Sequence, residues 1–287
     1  MLTETRPVEY RADTLEFAPT HGGVSYRALC IPPEDDLNWS LAPLYSSEDA
    51  RNNSLLASRW GELLRRFGSD RTYAPSVGFM SGEIVRPDAF TTEISLPQGT
   101  RLYRNRGLPA DGTILEPHEG FAMSTGGCAA LVVTGRGKCL VAHAGYASLV
   151  KISAFGGEGY YRPHFSVMGA LAKTVLDLGY NPFDFRVDVL FALSMDEFNH
   201  PVDHPVYKEL NERVWKEYLE GFGPEVAEKR GNAVHIDIGK LAIAQAESVG
   251  FGKAIVRSGL MPSHATTYHA DPRMHAQRNA VIVVRTH

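Results

Sequence analysis

Residues 124–146 read STGGCAALVVTGRGKCLVAHAGY. Cys128 to Val133 is one apolar run, Cys139 to Ala144 is a second, and Gly135-Arg136-Gly137 between them is a turn, so the stretch predicts a β-hairpin. A hairpin with a short turn sets its outer ends side by side, which brings Cys128 and His143 within reach of one another. Gly126 and Gly127 before the cysteine allow a tight backbone and a close approach of substrate to the sulfur. An imidazole beside a thiol can lower its pKa and make a nucleophilic thiolate, or the two can share a metal. Taken singly, a buried Cys commonly packs as a small hydrophobe and a lone His as a hydrogen-bonded core residue; the pairing is what points to chemistry. Cys139 alternates with Val141 and His143 on one face and reads as core, and Cys30 reads as structural.

Outward from the hairpin, helices and strands interleave. Asp49 to Phe67 carries Leu56, Trp60, Leu63, Leu64 and Phe67 at helical spacing and stops at Gly68. The first 48 residues read as irregular, and short extended segments follow Gly68 as far as residue 120. Phe165 to Leu178 predicts a helix with Met168, Leu171, Val175 and Leu178 on one face, Val187 to Leu193 a buried strand, and Tyr207 to Phe222 an amphipathic helix with Leu210, Val214, Tyr218 and Phe222 inward. Val234 to Ile238 reads as a strand leading into a helix from Lys240 to Ser248, with further strands at Lys253 to Val256 and Ala280 to Val284. Hairpins and crossovers together predict an α/β (mixed α+β) class with mixed sheets flanked by helices. With no repeat or low-complexity linker, residues 1–287 are expected to form a single domain.

The 287 residues are 44% hydrophobic and 22% charged, the balance of an ordinary globular protein with a sizeable core. The formal net charge of −4, with no Lys/Arg run longer than two residues, argues against nucleic acid or an anionic membrane as the main partner. No apolar stretch approaches the roughly 18 residues of a membrane span. The opening Met-Leu-Thr-Glu-Thr-Arg-Pro lacks the layout of a signal peptide, and three cysteines cannot build a disulfide framework, so a cytoplasmic location is expected. The expected partner is a small molecule, and the oligomeric state is left open.

Ser263 to Arg278 holds His264, His269, His275, Arg273 and Arg278, a density that suits anion binding or general acid–base work, or else a polar loop before the last strand. His200 and His204 flank Pro201 and look like loop residues. Asp196-Glu197 adjoin the end of a buried strand, where site residues are common.

These residues resemble the YfiH-like family, also called laccase-domain or peptidoglycan-editing-factor-like proteins. Thr20-His21-Gly22-Gly23-Val24-Ser25 is similar to the family's early Gly-Gly-Val-Ser turn, and Asp49 to Asn53 to its first helix start. Ala110-Asp111-Gly112 is similar to an Ala-Asp-Ala/Gly turn, Gly127-Cys128-Ala129 to Ala-Asp-Cys, and Ala142-His143-Ala144-Gly145-Tyr146 to Ala-His-Ala-Gly-Trp. Ile236-Asp237-Ile238 resembles its Val-Asp-Leu segment, and Gln277-Arg278-Asn279-Ala280 its Gly-Arg before a closing strand. The resemblance implies mixed sheets built from related βαβ units, a fold shared with deamidating bacterial toxins and a chemotaxis glutamine deamidase. It also implies zinc held by one Cys and two His, acting on purine nucleosides by phosphorolysis and deamination. Cys128 and His143 match two of those ligands. The third falls in Gln-Val-His-Gly, whose counterpart Phe79-Met80-Ser81-Gly82 puts Ser81 at the histidine. The family's paired arginines stand here as Tyr268-His269, while Arg278 remains. The Cys–His pair is what the toxin deamidases are understood to use as nucleophile and base.

Three expectations follow. The first is a cysteine-dependent hydrolase or transferase acting at a C–N or acyl bond without a required cofactor. Cys128 is its nucleophile, His143 its base, and backbone amides around Gly126 and Gly127 stabilise the oxyanion. Gly126, Gly127, Tyr146, His269, Arg278 and Ser81 form the substrate site. The second keeps zinc on Cys128 and His143, with His21 or a histidine of residues 264–275 as a substitute ligand, and acts on purine nucleosides. The third is a pocket kept for binding without catalysis.

Overall fold

The computed structural model describes residues 14–15, 21–31, 39–69, 71–75, 83–105, 110–149, 166–203, 208–257 and 278–287. A seven-stranded sheet runs in the order β1 (Thr14–Leu15), β2 (Tyr26–Ile31), β16 (Asn279–Arg285), β8 (Glu119–Thr125), β3 (Arg71–Tyr73), β6 (Arg101–Arg104), β5 (Thr92–Ser95). A six-stranded sheet runs β15 (Lys253–Arg257), β11 (Arg186–Leu190), β9 (Ala129–Gly135), β10 (Lys138–Ala144), β7 (Gly112–Leu115), β4 (Ile84–Val85). A small third sheet runs β12 (Asn199–Pro201), β14 (Ala233–Ile236), β13 (Ala227–Arg230). Both large sheets are mixed: β3 is parallel to β6 and β8, β4 to β7, and β11 to β15, while the other pairs are antiparallel.

The helices are α1 (Ser47–Asn52), α2 (Ser54–Phe67), α3 (Tyr146–Leu149), α4 (Val167–Asp177), α5 (Lys208–Phe222) and α6 (Ile238–Ser248). Strand β16 shows how the layers form. Val281 and Val283 face the core between the two large sheets, whereas Ala280, Ile282 and Val284 face a second core built on α2, with Trp60, Leu63, Leu64 and Phe67. Side chains alternate along a strand, so a sheet covered on both faces reads as a continuous apolar run. The outer face of the six-stranded sheet is covered by α4 and α6, through Met168, Leu171, Val175, Leu241 and Ala246.

Several sequence readings shift. Tyr26–Ile31, inside the stretch read as irregular, is a strand pairing with β16; its alternation is hidden because both faces are buried. The single helix from Asp49 divides at Asn53 (φ −112°, ψ 49°), whose amide Nδ2 donates to the carbonyls of Pro43 and Asp49. The strand at residue 187 is Arg186–Leu190 and shorter than expected. His200 is not in a loop: it lies in β12, 4% exposed, with its ring stacked on Phe198. Asp196 is at the surface, ion-paired with Arg230, and Glu197 accepts from the Ser194 hydroxyl. His204, Tyr207 and Phe165 lie outside the described residues.

The two large sheets are tied by polar groups as well as apolar ones. Asp188 on β11 is fully buried; its Oδ2 accepts from Tyr26 Oη of the other sheet (2.9 Å) and Arg186 Nη2 (2.9 Å), and its Oδ1 accepts from Arg257 Nε (3.0 Å). At the hairpin tip, Arg285 of β16 donates to the carbonyls of Leu115 (2.7 Å) and Gly137 (3.0 Å). Removing one member of a buried charge cluster strands the others, at a cost of about 3–5 kcal/mol. Asp188→Ala is therefore expected to lose about that much in denaturant unfolding, against about 1 kcal/mol for removing the hydrogen bond to Asp188 in Tyr26→Phe. Equal midpoints for Asp188→Ala and wild type would contradict the assignment.

Candidate active site

The hairpin closes with Lys138 opposite Gly135 and opens with Ala144 opposite Ala129. Arg136 and Gly137 form its turn, both at positive φ (50° and 70°), the two-residue geometry that matches strand twist. At the open end, β8 finishes at Thr125 in one large sheet and β9 starts at Ala129 in the other. Gly126-Gly127-Cys128 is thus a three-residue crossing between sheets. Cys128 is half-buried, while Cys30 and Cys139 are buried.

The structure brings Cys128 and His143 together: a Cβ built on Gly145 would lie 3.3 Å from Cys128 Sγ and 3.5 Å from His143 Nε2, and each group shifts the pKa of the other. On the other side of the ring, His143 Nδ1 meets Asp111 Oδ1 at 3.0 Å, and the His143 backbone N–H donates to the Asp111 carbonyl at 2.8 Å. Asp111 is fully buried. It reaches this position because β7 lies tight on β10 at Gly112, where a Cβ would fall 2.3 Å from the Val141 carbonyl oxygen. Gly145 packs against the pair without a side chain of its own: a Cβ there would also fall 3.2 Å from His143 Cε1.

Burial by itself would keep the Cys128 thiol protonated. The His143 charge and hydrogen bond, the Thr125 hydroxyl and the Arg278 charge outweigh it, and the thiol lies below its ordinary value. Burial likewise opposes protonation of His143, but Cys128 and Asp111 overcome it and push the imidazole up to about 10. The two shifts favour a thiolate–imidazolium pair near neutral pH. Cys139 is different: burial pushes its thiol up to about 12, and it sits near the hairpin's closed end, so it does not approach the centre. Burial does the same to Cys30.

The remaining candidates divide. Arg278, at the start of the last strand segment, places its charge on Cys128. Tyr146 directly follows Gly145, but its hydroxyl donates to Asn211 Oδ1 (3.2 Å), its ring packs edge-on to Phe198 and His200, and its carbonyl accepts from Tyr218. Gly126 and Gly127 lie in the crossing. The Gly127 and Cys128 N–H groups both donate to Thr125 Oγ1 (3.0 and 2.5 Å), so these two amides are already engaged. Ser81, His264, His269, Arg273 and His275 lie outside the described residues.

Sequence reasoning missed Asp111 and Thr125 as members of this centre. The signal for the first is an aspartate between Ala110 and Gly112 just before an apolar strand. The signal for the second is a threonine three residues before the cysteine, within reach of its backbone.

His21 cannot complete a metal site with Cys128 and His143. It stands at the opposite end of the hairpin, where Gly137 N–H donates to the Gly22 carbonyl (2.8 Å), about 20 Å away along six or so residues of strand. Among the described residues no three His, Cys, Asp or Glu side chains converge as a metal site. Nδ1 of His143 is bonded to Asp111, which leaves Nε2 on the Cys128 side, so these two side chains could supply two ligands, and no third stands beside them among the described residues.

The fold and the centre define a class: an α/β protein with a half-buried Cys beside a buried His–Asp pair where a hairpin opens between two sheets. No protein-family model matches the chain, and no curated protein matches it in sequence. Solved structures match in fold. The Bacillus licheniformis hypothetical protein YfiH superposes with a TM-score of 0.54 at 13% identity, over 90% of this chain and 92% of that one. The Neisseria meningitidis protein NMB0706, of family model DUF152, gives 0.56 at 15% over 95% and 98%. YlmD from Geobacillus stearothermophilus gives 0.55 at 12% over 91% and 92%. The chain therefore has the YfiH-like fold. Among the described residues, no helix is long and apolar enough to cross a membrane.

Asp111 raises the pKa of His143 through its hydrogen bond and its charge. Asp111→Asn is expected to lower the imidazole from about 10 by more than about one unit. Imidazole NMR across a pH series checks this, and an unchanged titration would show that the carboxylate does not act on the ring.

Proposed function

We infer that the chain is a cysteine-dependent hydrolase or transferase acting at a C–N or acyl bond of a small molecule. The observation that carries the reading is half-buried Cys128 set beside His143, with Asp111 on the far ring nitrogen. The Cys128 thiolate adds to the electrophilic carbon, forming a C–S bond and moving the electron pair onto oxygen or nitrogen. Arg278, whose charge already acts on the sulfur, meets the developing negative charge in place of the engaged amides. Collapse expels the leaving group, which takes the proton of the His143 imidazolium. The neutral imidazole then removes a proton from water or an acceptor, which adds to carbon as the C–S bond breaks, regenerating thiolate and imidazolium. Asp111 holds the ring orientation throughout.

Metal content and intact-protein mass test the reading together, on untagged protein purified without chelator. Substoichiometric metal, with an acyl adduct trapped on Cys128 from activated amides or esters and absent in Cys128→Ser, is the expected result. About one zinc per chain, lost in Cys128→Ala, with turnover of adenosine or inosine, would replace it with metal-dependent purine nucleoside chemistry. Stabilisation by a small molecule that is never converted would favour a binding role without catalysis.

A further inference from the structure

Thr125 has a role that neither the fold nor the Cys–His pair accounts for. Its side chain is 2% exposed, and its Oγ1 accepts from the backbone N–H groups of Gly127 (3.0 Å) and Cys128 (2.5 Å). The same hydroxyl donates to the Cys128 carbonyl oxygen at 3.2 Å. A hydroxyl offers two lone pairs and one hydrogen. Both lone pairs are taken by amides and the single hydrogen by the Cys128 carbonyl, so every bonding position of the hydroxyl is spent on the crossing.

The anchor beneath Thr125 is rigid. Asn279, 2% exposed and paired with Thr125 in the register of β16 and β8, donates from Nδ2 to the Thr125 carbonyl at 3.1 Å. Next to it, Ser124 Oγ accepts from the Leu41 N–H at 2.7 Å. The two glycines of the crossing have wide backbone freedom and no side chains of their own to hold it. A glycine pair alone would leave the sulfur mobile, and nucleophilic rates fall steeply when the reacting group is displaced by even about 1 Å.

The geometry assigns Thr125 as the positioning residue of the centre: its hydroxyl clamps the backbone of the Gly126-Gly127-Cys128 crossing and so holds Sγ beside His143. This rests on Cys128 being the reactive group. The clamp also explains why the crossing's amides are withheld from substrate, since the hydroxyl that fixes the nucleophile consumes them.

The test compares Cys128 alkylation by iodoacetamide at one near-neutral pH in wild type, Thr125→Val and Thr125→Ser, with circular dichroism melts as a fold control. Valine keeps the shape and removes the hydroxyl, so the rate is expected to fall roughly tenfold or more, while serine restores the hydroxyl and recovers most of it. A folded Thr125→Val with a rate within about twofold of wild type overturns the assignment, as does a Thr125→Ser variant as slow as the valine variant. Should the valine variant fail to fold, hydrogen exchange of the wild-type Gly127 and Cys128 amides decides. Protection is expected, and exchange at the rate of open amides overturns the clamp. If wild-type Cys128 itself reacts no faster than an ordinary thiol, the proposed function fails, while the amide protection still judges the clamp.

Discussion

The register of the β9–β10 hairpin is the constraint on which the centre depends. With Lys138 opposite Gly135 and Ala144 opposite Ala129, His143 faces the space between the two large sheets, on the side where Asp111 and the crossing at Cys128 lie. A slip of one residue would send His143 to the outer face, against α4 and α6, and bring Ala142 or Ala144 inward instead. The two-residue turn and the pins at the hairpin tip, Arg285 on the Leu115 and Gly137 carbonyls, exclude that slip. Stability at the closed end thereby fixes chemistry at the open end.

The space between the sheets holds two buried carboxylates with opposite uses. Asp188 meets the guanidinium groups of Arg186 and Arg257 and the phenol of Tyr26. Guanidinium stays charged at any working pH, so this cluster is a fixed tie. Asp111 meets an imidazole, whose charge can be gained and lost. The imidazole in turn meets a thiol rather than another fixed charge. The same device of a buried acid facing a base locks the fold at one point and leaves a movable proton at the other.

The hairpin and most of the helices are legible in the sequence because their periods are clean: the apolar runs around Gly135-Arg136-Gly137, and the 3.6-residue spacing from Leu56 to Phe67. The strand Tyr26–Ile31 is not, because burial on both faces erases alternation and Pro32-Pro33 nearby suggests irregular chain. The helix break at Asn53 is set by side-chain bonds to Pro43 and Asp49, a local competition that spacing does not display. At the centre, Cys128 and His143 are legible as a pair because hairpin geometry links them. Asp111 and Thr125 are not, since what joins them to the pair is the approach of β7 and the crossing between sheets. His21 was a candidate ligand on residue type alone, and the topology sets it at the other end of the strands.

The central claim is that Cys128 is held as a thiolate by its neighbours. The pH dependence of iodoacetamide alkylation, followed at Cys128 by peptide mass spectrometry with Cys30 and Cys139 as internal references, tests it most directly. The imidazolium persists up to about 10, and the thiol lies below its usual range. The Cys128 rate is therefore predicted to level off below the ordinary thiol value of about 8.5, while the two buried cysteines stay unreactive. A Cys128 rate that climbs through about 8.5 as a free thiol's does would contradict the account.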